Sequence, residues 1–218
     1  FDCFMYFDED LLLDLRLNCL DKFVDKFIII ECTYNHKGET KKPRFSKEKY
    51  KKFENKIEYI LLKEQPEDIE GINVNDNEIE TNDKYILNAV KRENFQRNYI
   101  KNCLSEADEN DWIIISDLDE IPNPEVFKNF KKEMRFAVFK QKHFYYKFNL
   151  QSKNNPYWLG SRICLKKYLI SPQWLRDLKF KKYPFWRFDK VRDLQIIKDG
   201  GWHFSYLQSP ENLLKKIS

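Results

Sequence analysis

The sequence lacks an apolar run long enough to span a membrane. No hydrophobic stretch in the 218 residues approaches the roughly 20 residues that a membrane-spanning helix needs. It also lacks paired cysteines, because its five cysteines are an odd number, are widely spread and include no C-x-x-C motif. This pattern argues against a disulfide framework and a zinc site, and it favours a reducing compartment. We therefore expect a cytoplasmic protein without a membrane span.

The chain has no strong charge of either sign. Its 39 Lys and Arg residues nearly balance its 35 Asp and Glu residues, and the lysines occur in short scattered pairs. A nucleic-acid-binding protein concentrates basic residues on one face, so we predict no nucleic-acid partner. Aromatic residues, by contrast, make up 16% of the chain, and surplus rings often line sites that stack on sugars. Core packing is the plainer explanation for any one of the candidates, which are Tyr145, Tyr146, Trp158 and Trp186.

The two ends of the chain indicate trimming. The first residue is Phe1 rather than Met, and the last ten residues form the helix-like pattern "SPENLLKKIS". No signal peptide is visible at the start. We expect a trimmed chain from which an anchor or a tail could be missing.

The first half of the chain alternates strand and helix patterns. Apolar runs predict strands at 1–6, 26–34, 57–62 and 112–116, and helical spacing predicts helices over 8–24 and 84–107. Residues 63–83 are polar and contain Pro66 and Gly71, which predicts a loop. This order is typical of an α/β fold with a mostly parallel sheet. Residues 136–150 and 157–170 read instead as antiparallel strands.

An acidic cluster, "SDLDEIP", follows the strand at 112–116 and contains Asp117, Asp119 and Glu120. Ligands of α/β sheets bind beyond the carboxyl ends of strands, which is where this cluster falls. A solvated turn would explain it without any function. An EF-hand loop is excluded, because Ile121 and Pro122 stand where that loop needs an oxygen ligand and a glycine. A D-x-D pair that holds a divalent cation against a diphosphate, and a D-x-D phosphatase motif, remain.

Five stretches of the chain together resemble one known family. In chain order they are "FDCFMYFDEDLLLDLRLNCL", "FIIIECTYNHKGETKKPRF", "RENFQRNYI", "WIIISDLDEIPNPEV" and "GGWHFSYL". The similarity is to glycosyltransferase family 17, the family of the bisecting β-1,4-N-acetylglucosaminyltransferase of N-glycans, and it spans nearly the whole chain. Its most specific element is "DLDEIP" combined with the downstream "GGWHFSY".

The resemblance implies an α/β fold of the GT-A (Rossmann-like) type, with a mostly parallel central sheet and helices on both faces. It implies one domain over 1–218, with a nucleotide-sugar-binding half at 1–124 and an acceptor-binding half at 125–218, truncated at its C-terminus. The implied activity is inverting transfer of a sugar, GlcNAc, from UDP-GlcNAc to a glycan acceptor. The metal would be Mn²⁺ or Mg²⁺, as oxygen-rich sites favour. The long extra segments of the animal enzymes are absent, so the resemblance implies the donor class more firmly than the acceptor, and it does not by itself imply N-glycan bisection.

The resemblance also assigns roles to residues. Asp117 and Asp119 match the metal and diphosphate motif, with Asp119 as the more direct ligand, and Glu120 matches the acid that follows. His203 matches the histidine of "GWHFS" and is assigned to the metal, although a buried structural histidine is an equal alternative. Asp199, Asp193 and Glu120 are the candidates for the general base, with Asp199 favoured.

Donor binding is expected to involve the ends of the first two strands and the helix over 84–107. Tyr6 and Glu31 end those strands, and Glu31 needs hydrogen-bond donors from a ligand or a nearby arginine because its strand is so apolar. Arg92 and Arg97 lie on one stripe of the helix, where Arg97 could bind the diphosphate as a fork-shaped donor. A plain i,i+4 salt bridge from Glu93 to Arg97 is the alternative. Two other functions stay open, a D-x-D phosphatase and a non-catalytic carbohydrate-binding module.

Overall fold

A computed structural model of the chain describes residues 1–131, 133–181, 184, 186–187 and 191–207. The helix-like pattern at 209–218 therefore lies outside the described residues. All five cysteines are described, and each is a free thiol. No helix in the described part of the chain combines the length and the apolar character that crossing a membrane requires.

The described residues form a mixed α/β fold around one large sheet. The strands are β1 (Asp2–Tyr6), β2 (Phe27–Cys32), β3 (Ile57–Leu62), β4 (Trp112–Ser116), β5 (Glu120–Pro122), β6 (Phe136–Tyr145), β7 (Tyr157–Leu165), β8 (Leu194–Ile197) and β9 (Gly201–Ser205). The α-helices are α1 (Asp10–Leu20), α2 (Glu78–Tyr99) and α3 (Pro172–Asp177). Short 3₁₀ segments cover Lys51–Phe53, Ile100–Cys103, Pro124–Asn129 and Lys166–Tyr168.

The sheet is parallel in the first half of the chain and mixed in the second. Its strand order is β3-β2-β1-β4-β7-β6-β9-β5, and β8 also pairs with β6. The first four strands are parallel, β7 is antiparallel to both β4 and β6, and β9 runs parallel to β6. The carboxyl ends of β1, β2, β4, β6 and β9 therefore meet at one edge of the sheet.

Both faces of the parallel half are covered, and this explains the unbroken apolar run of β2. On one face Phe27 and Ile29 pack in the same cluster as Leu13 and Leu17 of α1. On the other face Ile28 and Ile30 pack in the same cluster as Ile100, from the 3₁₀ segment that follows α2, and Leu175 of α3. A strand buried on both faces has no polar alternation, as predicted for a central parallel strand.

Helix α2 begins six residues earlier than predicted. The loop predicted over 63–83 ends at Asn77, whose side chain accepts from the backbone N–H of Glu80 at 2.9 Å, while the Glu80 carboxylate accepts from the N–H of Asn77 at 2.9 Å. This capping box satisfies two N–H groups that the first helical turn leaves unpaired. Helix α1 likewise ends at Leu20, earlier than the predicted residue 24. The residues of α2 that are buried are polar, namely Asn88, Arg92 and Arg97.

Candidate active site

A cavity of about 440 Å³ opens at the carboxyl edge of the sheet. Its walls come from the ends of β1, β2, β4 and β9 and from α2, and the acidic cluster forms part of them. Of the predicted site residues, six line this cavity: Tyr6, Arg92, Asp117, Asp119, Glu120 and His203.

Two arginines of the chain itself neutralise Asp117. Arg97 of α2 donates from Nη2 to Oδ1 of Asp117 at 2.9 Å, and Arg176 of α3 donates from Nη2 to Oδ2 at 2.8 Å. Partial desolvation would raise the pKa of the Asp117 carboxyl, but the charges of Arg176 and Arg97 outweigh it and hold that pKa below its usual value of 3.8. The positive charge that neutralises Asp117 is therefore supplied by the protein itself.

Glu120 is also held by internal donors. Its side chain is 1% exposed, and Arg176 donates to both carboxylate oxygens, at 2.6 Å to Oε2 and 3.0 Å to Oε1. The indole Nε1 of Trp158 also donates to Oε1, at 2.8 Å. Burial would lower the pKa of Arg176, but the charges of Glu120 and Asp117 raise it above its usual range, so this guanidinium stays charged. Arg176 was not identified from the sequence.

A third arginine, Arg16 of α1, holds the backbone of the acidic turn. It is fully buried and pairs with the fully buried Asp2 at 2.6 Å. Its Nη1 donates to the carbonyl oxygens of Asp117 at 3.1 Å, Leu118 at 3.3 Å and Glu120 at 2.9 Å. Because a buried arginine and three carbonyl oxygens satisfy one another here, the turn is fixed from beneath the cavity.

Asp119 faces the cavity and lies beside His203. The Nε2 of His203 is 3.3 Å from Oδ2 of Asp119, because β5 pairs with β9 and the N–H of Phe204 donates to the carbonyl of Asp119 at 3.0 Å. In contrast to Asp117 and Glu120, Asp119 has no arginine partner among the described residues.

His203, in the middle of β9, belongs to a stack of rings. Its imidazole lies on that of His143 with ring centroids 4.6 Å apart and planes 11° apart, and Trp158 packs against it at 5.0 Å. Burial, and to a smaller extent the charge of His203, lower the pKa of His143. The imidazole of His143 in this stack is therefore favoured in its neutral form. The Nδ1 of His203 is buried without a hydrogen-bond partner in the described part of the chain.

The described residues fit a divalent cation only in part. Within the ranges that the structure describes, no group of three or more His, Cys, Asp or Glu side chains is arranged to hold a metal ion. The predicted set of Asp117, Asp119 and His203 is brought to one cavity, but both carboxylate oxygens of Asp117 are engaged by arginines. Asp119 and His203 remain as an oxygen and a nitrogen donor, whose other partners would be water or a ligand oxygen.

Arg92 and Arg97 differ in what they can offer a ligand. Arg97 is committed to Asp117, to Glu93 at 2.6 Å and to Gln173, so the i,i+4 salt bridge is present and its guanidinium is engaged. Arg92 lines the cavity and pairs with no carboxylate in the described residues. Its Nε donates to Gln65 at 2.8 Å and its Nη1 to the carbonyl of His36 at 3.0 Å. A guanidinium held only by neutral acceptors keeps its charge available for an anion.

Glu31 meets the donors that its apolar strand demands, but they belong to the chain. It is fully buried and accepts from Lys41 at 2.6 Å, from Tyr59 at 2.9 Å and from the backbone N–H groups of Arg44 and Phe45. Glu31 does not line the cavity, whereas Tyr6 does and donates to Asp10 at 2.5 Å.

The other candidates for the general base lie away from the cavity lining. Asp193 precedes β8 and pairs with Arg135 before β6 at 2.6 Å, at the opposite edge of the sheet from His203. Asp199 lies in the turn between β8 and β9, with its carbonyl bonded to Asn123. Neither is brought to Asp119.

The aromatic candidates divide in the same way. Trp158 lines the cavity, and Tyr145 and Tyr146 lie next to it at the end of β6, while Trp186 is exposed and outside the lining. A further cavity residue, Tyr206, ends the "GGWHFSY" motif but was given no role from the sequence.

A charged cavity at the carboxyl edge of an α/β sheet is the arrangement of a ligand-binding enzyme. The family model described as Glycosyltransferase family 17 matches residues 1–215, and the chain belongs to that family. The resemblance seen in the sequence is thereby confirmed, and the family indicates glycosyl transfer between a sugar donor and a glycan acceptor. No curated protein and no solved structure matches the chain.

Proposed function

We propose that the protein is a metal-dependent, inverting glycosyltransferase with a GT-A fold, which transfers GlcNAc from UDP-GlcNAc to a glycan acceptor. The observation that carries the proposal is the composition of one cavity, in which Asp119 and His203 lie together and Arg92 offers a positive charge that no carboxylate of the described residues pairs with. The parallel order β3-β2-β1-β4 followed by an acidic turn supports the GT-A assignment.

Arg92 is proposed to bind the diphosphate of the donor. Its side chain is buried by the loop that contains Gly38, and a Cβ at Gly38 would collide with Nη2 of Arg92. The planar guanidinium matches the geometry of phosphate oxygens. A buried cation without a carboxylate partner among the described residues is costly unless an anion reaches it, which favours this role.

Asp119 and His203 are proposed to hold Mn²⁺ or Mg²⁺. When bound, such an ion supplies charge neutralisation for the leaving diphosphate. Asp117 is proposed as a positioning residue rather than a ligand, because both its oxygens already accept from arginines. In this proposal Asp119 binds the ion, while Asp117 and Glu120 hold the turn in place through their arginine contacts.

Inverting transfer requires a general base that reaches the acceptor hydroxyl. Glu120 lines the cavity but is held by Arg176 and Trp158, and Asp193 and Asp199 lie outside the lining. We therefore assign the base to none of the three.

The two alternative functions receive less support. A D-x-D phosphatase uses the first aspartate as its nucleophile, and in this chain that residue, Asp117, is bound at both oxygens by arginines. A carbohydrate-binding module has no need of a buried cation such as Arg92 in its cavity, and the family is one of transferases.

A panel of UDP-sugars with Mn²⁺, read out as UDP release by hydrolysis, tests the proposal. One sugar, expected to be GlcNAc, should be released by the wild-type protein and by the control variant Asp25→Asn, whose aspartate is exposed. Asp119→Asn should release none. Hydrolysis of no donor, or equal hydrolysis by Asp119→Asn, would refute the proposal.

A further inference from the structure

Three tyrosine rings, of which two are exposed and one is half-buried, stack beside the cavity. Tyr145 ends β6, Tyr146 follows it, and Tyr206 follows β9, the parallel neighbour of β6. The ring centroid of Tyr206 lies 6.3 Å from that of Tyr145 and 6.0 Å from that of Tyr146, and the ring planes differ by 15° and 29°. We name these three residues the tyrosine shelf.

Two residues of the shelf have an uncommon backbone conformation. Tyr146 has a φ of 62° and Tyr206 a φ of 56°, both in the left-handed region. Bulky side chains are rare there, and such conformations persist where the surrounding structure enforces them, often at binding sites. Burial of these rings offsets little of the free energy of backbone strain, because Tyr146 is 53% and Tyr206 is 55% exposed. An exposed ring on a strained backbone indicates a ligand rather than a core contact.

The shelf is continuous with the cavity. Tyr206 belongs to the cavity wall, and the N–H of Tyr146 donates to the carbonyl of Ser205 at 3.0 Å, which joins the ends of the two strands. Tyr145 packs on His143 at 4.4 Å, and His143 in turn stacks on His203. The shelf thus extends from the Asp119–His203 pair outward to solvent.

The shelf and Arg92 approach the pair from different parts of the sheet. Arg92 comes from α2 and contacts the loop after β2, whereas the shelf stands on β6 and β9, beyond β4 and β7 in the strand order. A donor whose diphosphate meets Arg92 would leave the shelf side open for the second substrate.

We propose that the tyrosine shelf binds one pyranose ring of the acceptor glycan. The apolar C–H face of the sugar would stack on the exposed rings, and the phenol hydroxyls would hydrogen-bond its hydroxyl groups. The assignment of this sugar to the acceptor rests on the proposed function. The binding of a pyranose by the shelf is independent of that function.

The competing ligand for the same rings is the uracil base of the donor, since aromatic side chains also stack on bases. Tyrosine ring signals of ¹³C-labelled protein separate the two. The probes are the methyl glycosides of glucose, mannose and N-acetylglucosamine, titrated in parallel with UDP. We expect at least one glycoside to shift the signals of Tyr146 and Tyr206, with Tyr85, an exposed tyrosine on α2, unaffected. No shift by any glycoside, or a shift by UDP alone, would overturn the proposal.

A variant pair adds an independent readout. Asn tolerates the left-handed region, so Tyr146→Asn should weaken glycoside binding about tenfold, the loss of a stacked ring, without lowering the melting temperature. Affinity for UDP should stay unchanged, and the control Tyr85→Asn should change neither affinity. A lowered melting temperature with unchanged glycoside binding would show a structural role and refute the shelf as a site. Glycoside binding without hydrolysis of any UDP-sugar would leave the shelf standing and remove the proposed transferase.

Discussion

Arg176 provides the sharpest test of how the acidic turn is held together. Its guanidinium donates to both oxygens of Glu120, to Asp117 and to the carbonyl of Gly160, and its side chain is 12% exposed. Removing one partner of a buried ion pair typically costs about 3–5 kcal/mol, because the other charge is left without compensation. Arg176→Met should therefore destabilise the fold strongly.

The lower end of that range is expected. After the substitution Asp117 keeps Arg97 at 2.9 Å, and Glu120 keeps the indole of Trp158 at 2.8 Å. We expect the free energy of unfolding to fall by about 3 kcal/mol. At about 2–4 °C per kcal/mol for a chain of this size, the melting temperature should fall by about 6–12 °C. Urea unfolding followed by circular dichroism measures both.

Arg135→Met is the matched control. Arg135 and Asp193 are also 2.6 Å apart, but their side chains are 52% and 38% exposed, and an exposed pair contributes less than about 1 kcal/mol. A double-mutant cycle of Arg176→Met with Glu120→Gln should show a coupling of about 1–3 kcal/mol. We call Arg176 with Glu120 and Asp117 the buried clamp. Equal losses of unfolding free energy in Arg176→Met and Arg135→Met, or additive losses in the cycle, would refute its stabilising role.

The clamp also carries a pH dependence. The pKa of Asp117 is lower in the folded protein than its ordinary value of 3.8. Ionised Asp117 therefore stabilises the fold fully above pH 3.8, and this stabilisation is lost as the pH falls through the pKa of the folded state. Because Arg176 causes much of this depression, the stability gap between wild type and Arg176→Met should narrow below pH 3.8. A gap that stays constant into that range would contradict the electrostatic origin.

Three further predictions concern the cavity and the thiols. Gly38→Ala, at a φ of 87°, should push Arg92 aside and weaken UDP binding about tenfold by calorimetry, and an unchanged affinity would count against Arg92. His203→Asn should reduce the effect of Mn²⁺ on UDP binding, while loss of the ring stack costs only about 1 kcal/mol; a large fall in melting temperature with intact Mn²⁺ dependence would make this histidine structural. A thiol reagent on the native protein should modify Cys19 alone, since the other four cysteines are buried, and mass spectrometry that finds a second label would contradict this packing.

Strands β1, β2 and β4 could be predicted because burial on both faces leaves a nearly unbroken apolar signature. The position of the acidic turn followed from the same pattern, since it comes directly after β4. The start of α2 was missed because residues 78–83 are mostly polar, although Asn77 and Glu80 carry the spacing of a capping box.

The arginines that neutralise the turn could not be predicted in the same way. Arg16 reaches carbonyls 101 to 104 positions away, and Arg176 reaches Asp117 across 59 positions. Such pairs leave no periodicity in the sequence, because they depend on how α1 and α3 pack on opposite faces of the sheet. The same holds for Glu31, whose need for donors was predicted but whose partners, Lys41 and Tyr59, were not.

Calorimetric titration of UDP, with and without Mn²⁺, tests most directly the claim that Asp119, which no arginine engages among the described residues, is the acid of the turn that binds the metal ion. Wild-type protein should bind UDP about tenfold more tightly with Mn²⁺, and Asp119→Asn should keep its fold and lose that gain. An equal effect of Mn²⁺ on wild type and Asp119→Asn would contradict the claim.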